Sequence, residues 1–107
     1  MLQEKKIYGL IGKNISYSFS KKYFNKKFIK TDFKNCCYKN FDLNNLENLN
    51  NIIKKNNIRG LNVTIPYKEN IISLLDSLSL EATKIGAVNT IKIDSNKKLK
   101  GYNTDYI

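Results

Sequence analysis

The residues best suited to chemistry fall in four short segments. Lys68 closes Gly60-Leu61-Asn62-Val63-Thr64-Ile65-Pro66-Tyr67-Lys68, and Asp105 closes Gly101-Tyr102-Asn103-Thr104-Asp105. An amine that carries a proton beside a carboxylate that orients it is a plausible device for moving a hydroxyl proton. With 18 lysines in the chain, any one of them alone is by default a solvated surface charge. Asn62 and Thr64 alternate onto one face near a strand end, with Lys68 expected in the first turn of a following helix. A cation there sits at the unfavourable end of the helix dipole, at a cost of up to ~1 kcal/mol, which suits a proton carrier. In Gly86-Ala87-Val88-Asn89-Thr90, small residues allow close approach, and Asn89 stands at a strand start. Asn is poor in strands, so its amide is expected either to close a turn or to hold a ligand hydroxyl. The fourth segment, Ser16-Tyr17-Ser18-Phe19-Ser20, lies between a strand end and a helix start. Hydroxyls and free N–H groups there suit a small anion such as a carboxylate, although helix capping by Ser18 or Ser20 is the simpler account of this segment alone.

The elements that must position these residues alternate between strands and helices, which is the pattern of an α/β domain with a mainly parallel twisted sheet and helices on both faces. Lys6 to Ile11 is predicted as a buried strand and Ser20 to about Ile29 as a helix carrying Tyr23, Phe24, Phe28 and Ile29. Cys36 to Leu43 is predicted as a strand, and 44–57 as a helix with Leu46, Leu49, Ile52 and Ile53 on one face. Gly60 to Ile65 is predicted as a strand, with Pro66 opening the next helix. A helical turn over Leu80 to Ile85 ends at Gly86. Val88 to Ile93 and Leu99 to Tyr102 are predicted as strands joined by a polar turn, giving one antiparallel pair. The final segment has the form of a helix start capped by Thr104 or Asp105.

Composition narrows the partners. The chain of 107 residues has the size of one domain, with a net charge of +10. That charge comes from lysine: Arg59 is the single arginine, and Asn (16) and Ile (14) are as abundant as expected from AT-rich codons. Nucleic-acid readers rely on arginine, and the lysines are scattered in ones and twos, so no nucleic-acid partner is expected. Adjacent Cys36 and Cys37 point to opposite faces of a strand, and the chain has no histidine; they are expected as small reduced core residues rather than a disulfide or a metal site. No apolar run approaches the ~20 residues of a membrane span and the N-terminus lacks a signal-peptide core, so a cytoplasmic chain with no membrane partner is expected.

Taken in order, YGLIGKNISYSFS, GLNVTIPYKE, DSLSLEATKIGAVNT and GYNTDYI closely resemble shikimate dehydrogenase, from about Ile7 to Ile107. NVTIPYK followed by GAVNT and then NTD is specific to that family and its quinate-using relatives. The resemblance implies that Ser18 and Ser20 hold the shikimate carboxylate, that Thr64 and Asn89 bind ring hydroxyls with support from Asn62, and that Lys68 and Asp105 are the catalytic pair. It implies reversible NADP-dependent reduction of 3-dehydroshikimate to shikimate, in the biosynthesis of chorismate and the aromatic amino acids. Many relatives carry proline where this chain has Asn14 and Lys21, and histidine where it has Tyr17; these changes flank the serines without removing them. None of the five glycines forms the G-x-G-x-x-G turn that binds a dinucleotide. NADP is therefore expected to be bound mainly by a C-terminal domain outside this sequence, with residues 1–107 ending at the hinge and inactive by themselves. Quinate/shikimate dehydrogenase and a non-catalytic shikimate-binding fragment are the alternatives, and the oligomeric state, monomer or homodimer, stays open.

Overall fold

The computed structural model describes residues 5–15, 20–30 and 35–105. Six strands form one sheet in the order β2-β1-β3-β5-β6-β4. β1 (Lys6–Gly12) lies between β2 (Cys36–Asp42) and β3 (Ile58–Val63), parallel to both. β3 runs antiparallel to β5 (Thr90–Ile93), which runs antiparallel to β6 (Leu99–Tyr102), and the short β4 (Ser77–Leu78) pairs in parallel with β6. The parallel pairings thus predominate, and the expected antiparallel pair is β5–β6. A second one, β3–β5, was not expected. It arises because Asn89 O accepts from Val63 N (2.8 Å), so β5 starts where β3 ends and must run back along it.

β1 is apolar almost throughout because both of its faces are covered. Ile7 and Ile11 join a core with Leu49, Ile53, Ile58, Ile71, Ala82 and Val88, whereas Leu10 joins Ile15 and Tyr38 on the opposite face. α1 (Ser20–Lys30) closes the second face with Phe24 and Phe28. Its apolar stripe is narrower than expected, since Tyr23 and Ile29 are exposed. Asn25 ties α1 to the free edge of β2, donating to Tyr38 O (2.9 Å) and accepting from Tyr38 N (2.8 Å). The side-chain amide thus does for Tyr38 what a neighbouring strand would do.

On the first face, α2 (Leu49–Lys55) is shorter than the expected 44–57. Leu46 sits in the preceding turn, where its carbonyl accepts from Leu49 N (3.2 Å), and still packs on the core. α3 (Leu80–Ile85) is capped by Ser79, whose hydroxyl accepts from Ala82 N (3.1 Å), and it ends at Gly86 with φ 75°, a left-handed position that glycine adopts at little cost. The segment after β3 corrects the sequence expectation. Pro66 does not open a helix: Tyr67 N donates to Thr64 O (3.0 Å) across a turn whose Ile65–Pro66 bond is cis, and only a 3-10 helix, Asn70–Leu74, follows. Tyr67 accounts for the change. Its ring is buried and its hydroxyl donates to Leu43 O, so the chain is pinned inward at the turn, and helical bonding begins only at its carbonyl, which accepts from Ile71 N (3.0 Å).

Candidate active site

The two chain segments that leave β1 and β3 go to opposite faces of the sheet, one into α1 and the other into the 3-10 helix packed on the Ile11 face. Adjacent parallel strands whose connections diverge leave a crevice at their carboxyl ends, which is where open α/β sheets bind ligands. Three of the segments singled out in the sequence, Gly60–Lys68, Gly86–Thr90 and Gly101–Asp105, converge on this edge.

On the β1 side, the segment leading to the serines is held by β2. The Asp42 carboxylate accepts from Asn14 N (2.8 Å) and Ile15 N (3.2 Å), and Asn40 Nδ2 donates to Ile15 O (3.3 Å). Asn14 has φ 59°, a left-handed conformation that asparagine tolerates and proline cannot adopt. Tyr17 and Ser18 lie outside the described residues, and Ser20 is the first residue of α1.

On the β3 side, Thr64 N donates to Ile11 O (2.9 Å), and the Thr64 methyl lies where a Cβ on Gly12 would have to sit, so this glycine allows the two segments to close together. Asn62 points over the α1 face, where its Nδ2 donates to the Tyr38 hydroxyl (2.8 Å). Lys68 follows the buried Tyr67, and its carbonyl accepts from Val88 N (2.7 Å). It precedes the 3-10 helix rather than lying in a first helical turn, so no α-helix is present for the expected dipole effect.

Gly86-Ala87-Val88-Asn89-Thr90 is the hub. Asn89 Oδ1 accepts from Thr104 N (3.0 Å) and from the Thr90 hydroxyl (3.0 Å), while its Nδ2 donates to Thr104 Oγ1 (2.9 Å). Asn103 Nδ2 donates to Ala87 O (3.1 Å), and Asn103 Oδ1 accepts from Asp105 N (2.9 Å). Asn103 Oδ1 thus closes a turn at this end; the amides that Thr104 or Asp105 would cap lie outside the described residues. The sequence reading overlooked Asn103 and Tyr38 as individual residues; the asparagine two positions before an acidic residue was the available signal for Asn103.

The result of this latching is the placement of Asp105 beside Lys68, with Nζ and Oδ2 3.9 Å apart. At that distance they make no direct hydrogen bond, but a hydroxyl oxygen about 2.8 Å from each fits between them. The side chains are 38% and 72% exposed, so the pair adds little to stability and stays open to a ligand. A cleft of about 630 Å³ runs beneath α1, lined by Tyr8, Phe24, Phe28, Tyr38, Asn62 and Thr90 among others; neither Lys68 nor Asp105 lines it. The glycines do not cradle a dinucleotide. A Cβ on Gly9 would strike Lys39 O and the Phe41 ring, one on Gly101 would strike Leu75 and Val88, and Gly86 closes α3, so these positions serve packing and capping.

Fold and site together define a small-molecule-binding α/β domain that presents a lysine–carboxylate pair at the carboxyl ends of its strands. Residues 10–91 match the family described as the shikimate dehydrogenase substrate binding domain, and the chain belongs to that family. It is 50% identical over 102 residues to shikimate dehydrogenase (NADP(+)) of Clostridium botulinum (strain Loch Maree / Type A3), an alignment covering 92% of this chain and 38% of that protein. Shikimate dehydrogenase 1 of Peptoclostridium difficile superposes with a TM-score of 0.85 at 43% identity, covering 94% of this chain and 37% of that one. Shikimate 5-dehydrogenase of Listeria monocytogenes, solved with shikimate and NAD, superposes with a TM-score of 0.85 at 35% identity, covering 94% and 35%. The chain thus spans well under half the length of these relatives. Among the described residues, no helix is long and apolar enough to cross a membrane.

Proposed function

We propose that residues 1–107 form the substrate-binding domain of a cytoplasmic NADP-dependent shikimate dehydrogenase, which interconverts 3-dehydroshikimate and shikimate. The observation that carries this reading is the Lys68–Asp105 pair, open at 3.9 Å and held on both sides by the Val88–Asn89 hub. Lys68 accepts the proton of the shikimate hydroxyl undergoing oxidation and returns it to the carbonyl oxygen in the reverse direction. Asp105 accepts a hydrogen bond from that hydroxyl and orients the ammonium. Thr64 and Asn89 bind ring hydroxyls, Asn62 supports them, and Ser18 and Ser20 hold the carboxylate. The dinucleotide supplies the hydride acceptor when bound, but the residues of this chain do not fit it; groups outside residues 1–107 hold it. Relatives named as NADP(+) enzymes support that cofactor.

Titrating the ¹⁵N-labelled chain with shikimate tests the reading. The amides of Ser18, Lys68, Asn89 and Asp105 are expected to shift together. No movement at millimolar shikimate would refute it.

A further inference from the structure

We propose that Tyr38 is a positioning residue for substrate recognition: its hydroxyl holds the Asn62 amide in place, leaving the other end of that amide for a ring hydroxyl. The inference rests on the reading of this domain as a shikimate site.

Tyr38 is held on several sides. Its side chain is 2% exposed, its ring stacks on Phe24 at 4.7 Å, and both of its backbone polar groups are bonded to Asn25. Stacking and edge pairing therefore set the position of its hydroxyl oxygen from two independent directions. Asn62 donates Nδ2 to that oxygen at 2.8 Å across the intervening strand, whose Leu10 pairs with Asn62. An asparagine amide carries a donor end and an acceptor end, and a 180° flip exchanges them at nearly the same shape. The Tyr38 hydroxyl both donates and accepts, so it holds the amide in place without itself choosing the end; here Nδ2 is the end it bonds. Oδ1 accepts no hydrogen bond among the described residues, so an acceptor is left for a ligand. Across the sheet Asn62 pairs with Thr90, whose hydroxyl is bonded to Asn89, so the oriented amide lies next to the hub that places Asp105.

Tyr38→Phe removes the hydroxyl and keeps the stacked ring. In the shikimate titration of the 107-residue chain, this variant is expected to bind about tenfold more weakly, the loss of one well-placed hydrogen bond. Asn62→Ala is expected to lose at least as much, and the double variant no more than Asn62→Ala alone. Against an analogue lacking the hydroxyl that Asn62 reads, Tyr38→Phe is expected to match the wild type. Without ligand, the Asn62 side-chain amide protons should be protected from exchange in the wild-type chain, a readout that needs no variant to fold. Wild-type affinity in Tyr38→Phe, additive losses in the double variant, or unprotected Asn62 protons would each overturn the inference. Asn62→Ala binding like the wild type would remove Asn62 from the site and the inference with it, whereas the Lys68–Asp105 reading would stand on Lys68→Ala in the same titration. A wild-type chain that ignores shikimate would instead defeat the functional reading itself.

Discussion

Lys68 illustrates how little a reactive residue type says by itself and how much its surroundings add. Nothing distinguishes it from the other lysines except what its neighbours do: Tyr67 anchors the turn before it, Val88 bonds its carbonyl, and the hub delivers Asp105 to its ammonium. If it moves the hydroxyl proton, Lys68→Ala in the active enzyme carrying this domain should lower kcat by about 10²–10⁴, the usual worth of a positioned acid–base group, with a much smaller change in KM. Steady-state kinetics with shikimate check this, and an unchanged kcat would remove Lys68 from the chemistry. Ion pairing contributes little at such exposure, so the same variant should unfold at nearly the wild-type denaturant concentration. The candidate residues were legible because they recur as ordered motifs. Their supports were not, because Asn103 and Tyr38 act through hydrogen bonds to groups 16 and 24 residues away.

At the level of elements, the strands were easier to read than the helices. β1, β6 and α3 match the expected spans, because a strand buried on both faces and a helix with Ser79 before it and Gly86 after it each carry their own local signals. The segment after Pro66 was misread because a proline at a helix start and a proline in a turn look alike until the burial of Tyr67 is known. Close packing between elements yields a sharper test. A Cβ at Gly9 would lie 2.5 Å from Lys39 O and from the Phe41 ring, and the backbone contact cannot yield without moving β2. Gly9→Ala is therefore expected to destabilise the domain by about 1–3 kcal/mol in urea unfolding. An unchanged midpoint would show that β1 and β2 separate more easily than this close contact implies.

For the molecule as a whole, one sheet separates two apolar clusters, and Ile11 is fully buried in the larger of them. Ile11→Ala is expected to cost about 2–5 kcal/mol while leaving a single unfolding transition, as measured by circular dichroism at increasing denaturant. Two separate transitions would show that the α1 face folds independently. What the sequence determined unaided was the alternation of elements and the four ordered segments that carry the family. Both are written in residue type and short spacing, which the chain carries locally. Tertiary structure alone decided that β5 runs back along β3, that Tyr38 reaches across β1 to Asn62, and that Lys68 and Asp105, 37 positions apart, come within 3.9 Å. Pairing between distant strands is set by which faces can be buried together and by which backbone groups remain to be bonded, and neither is settled until the sheet has closed.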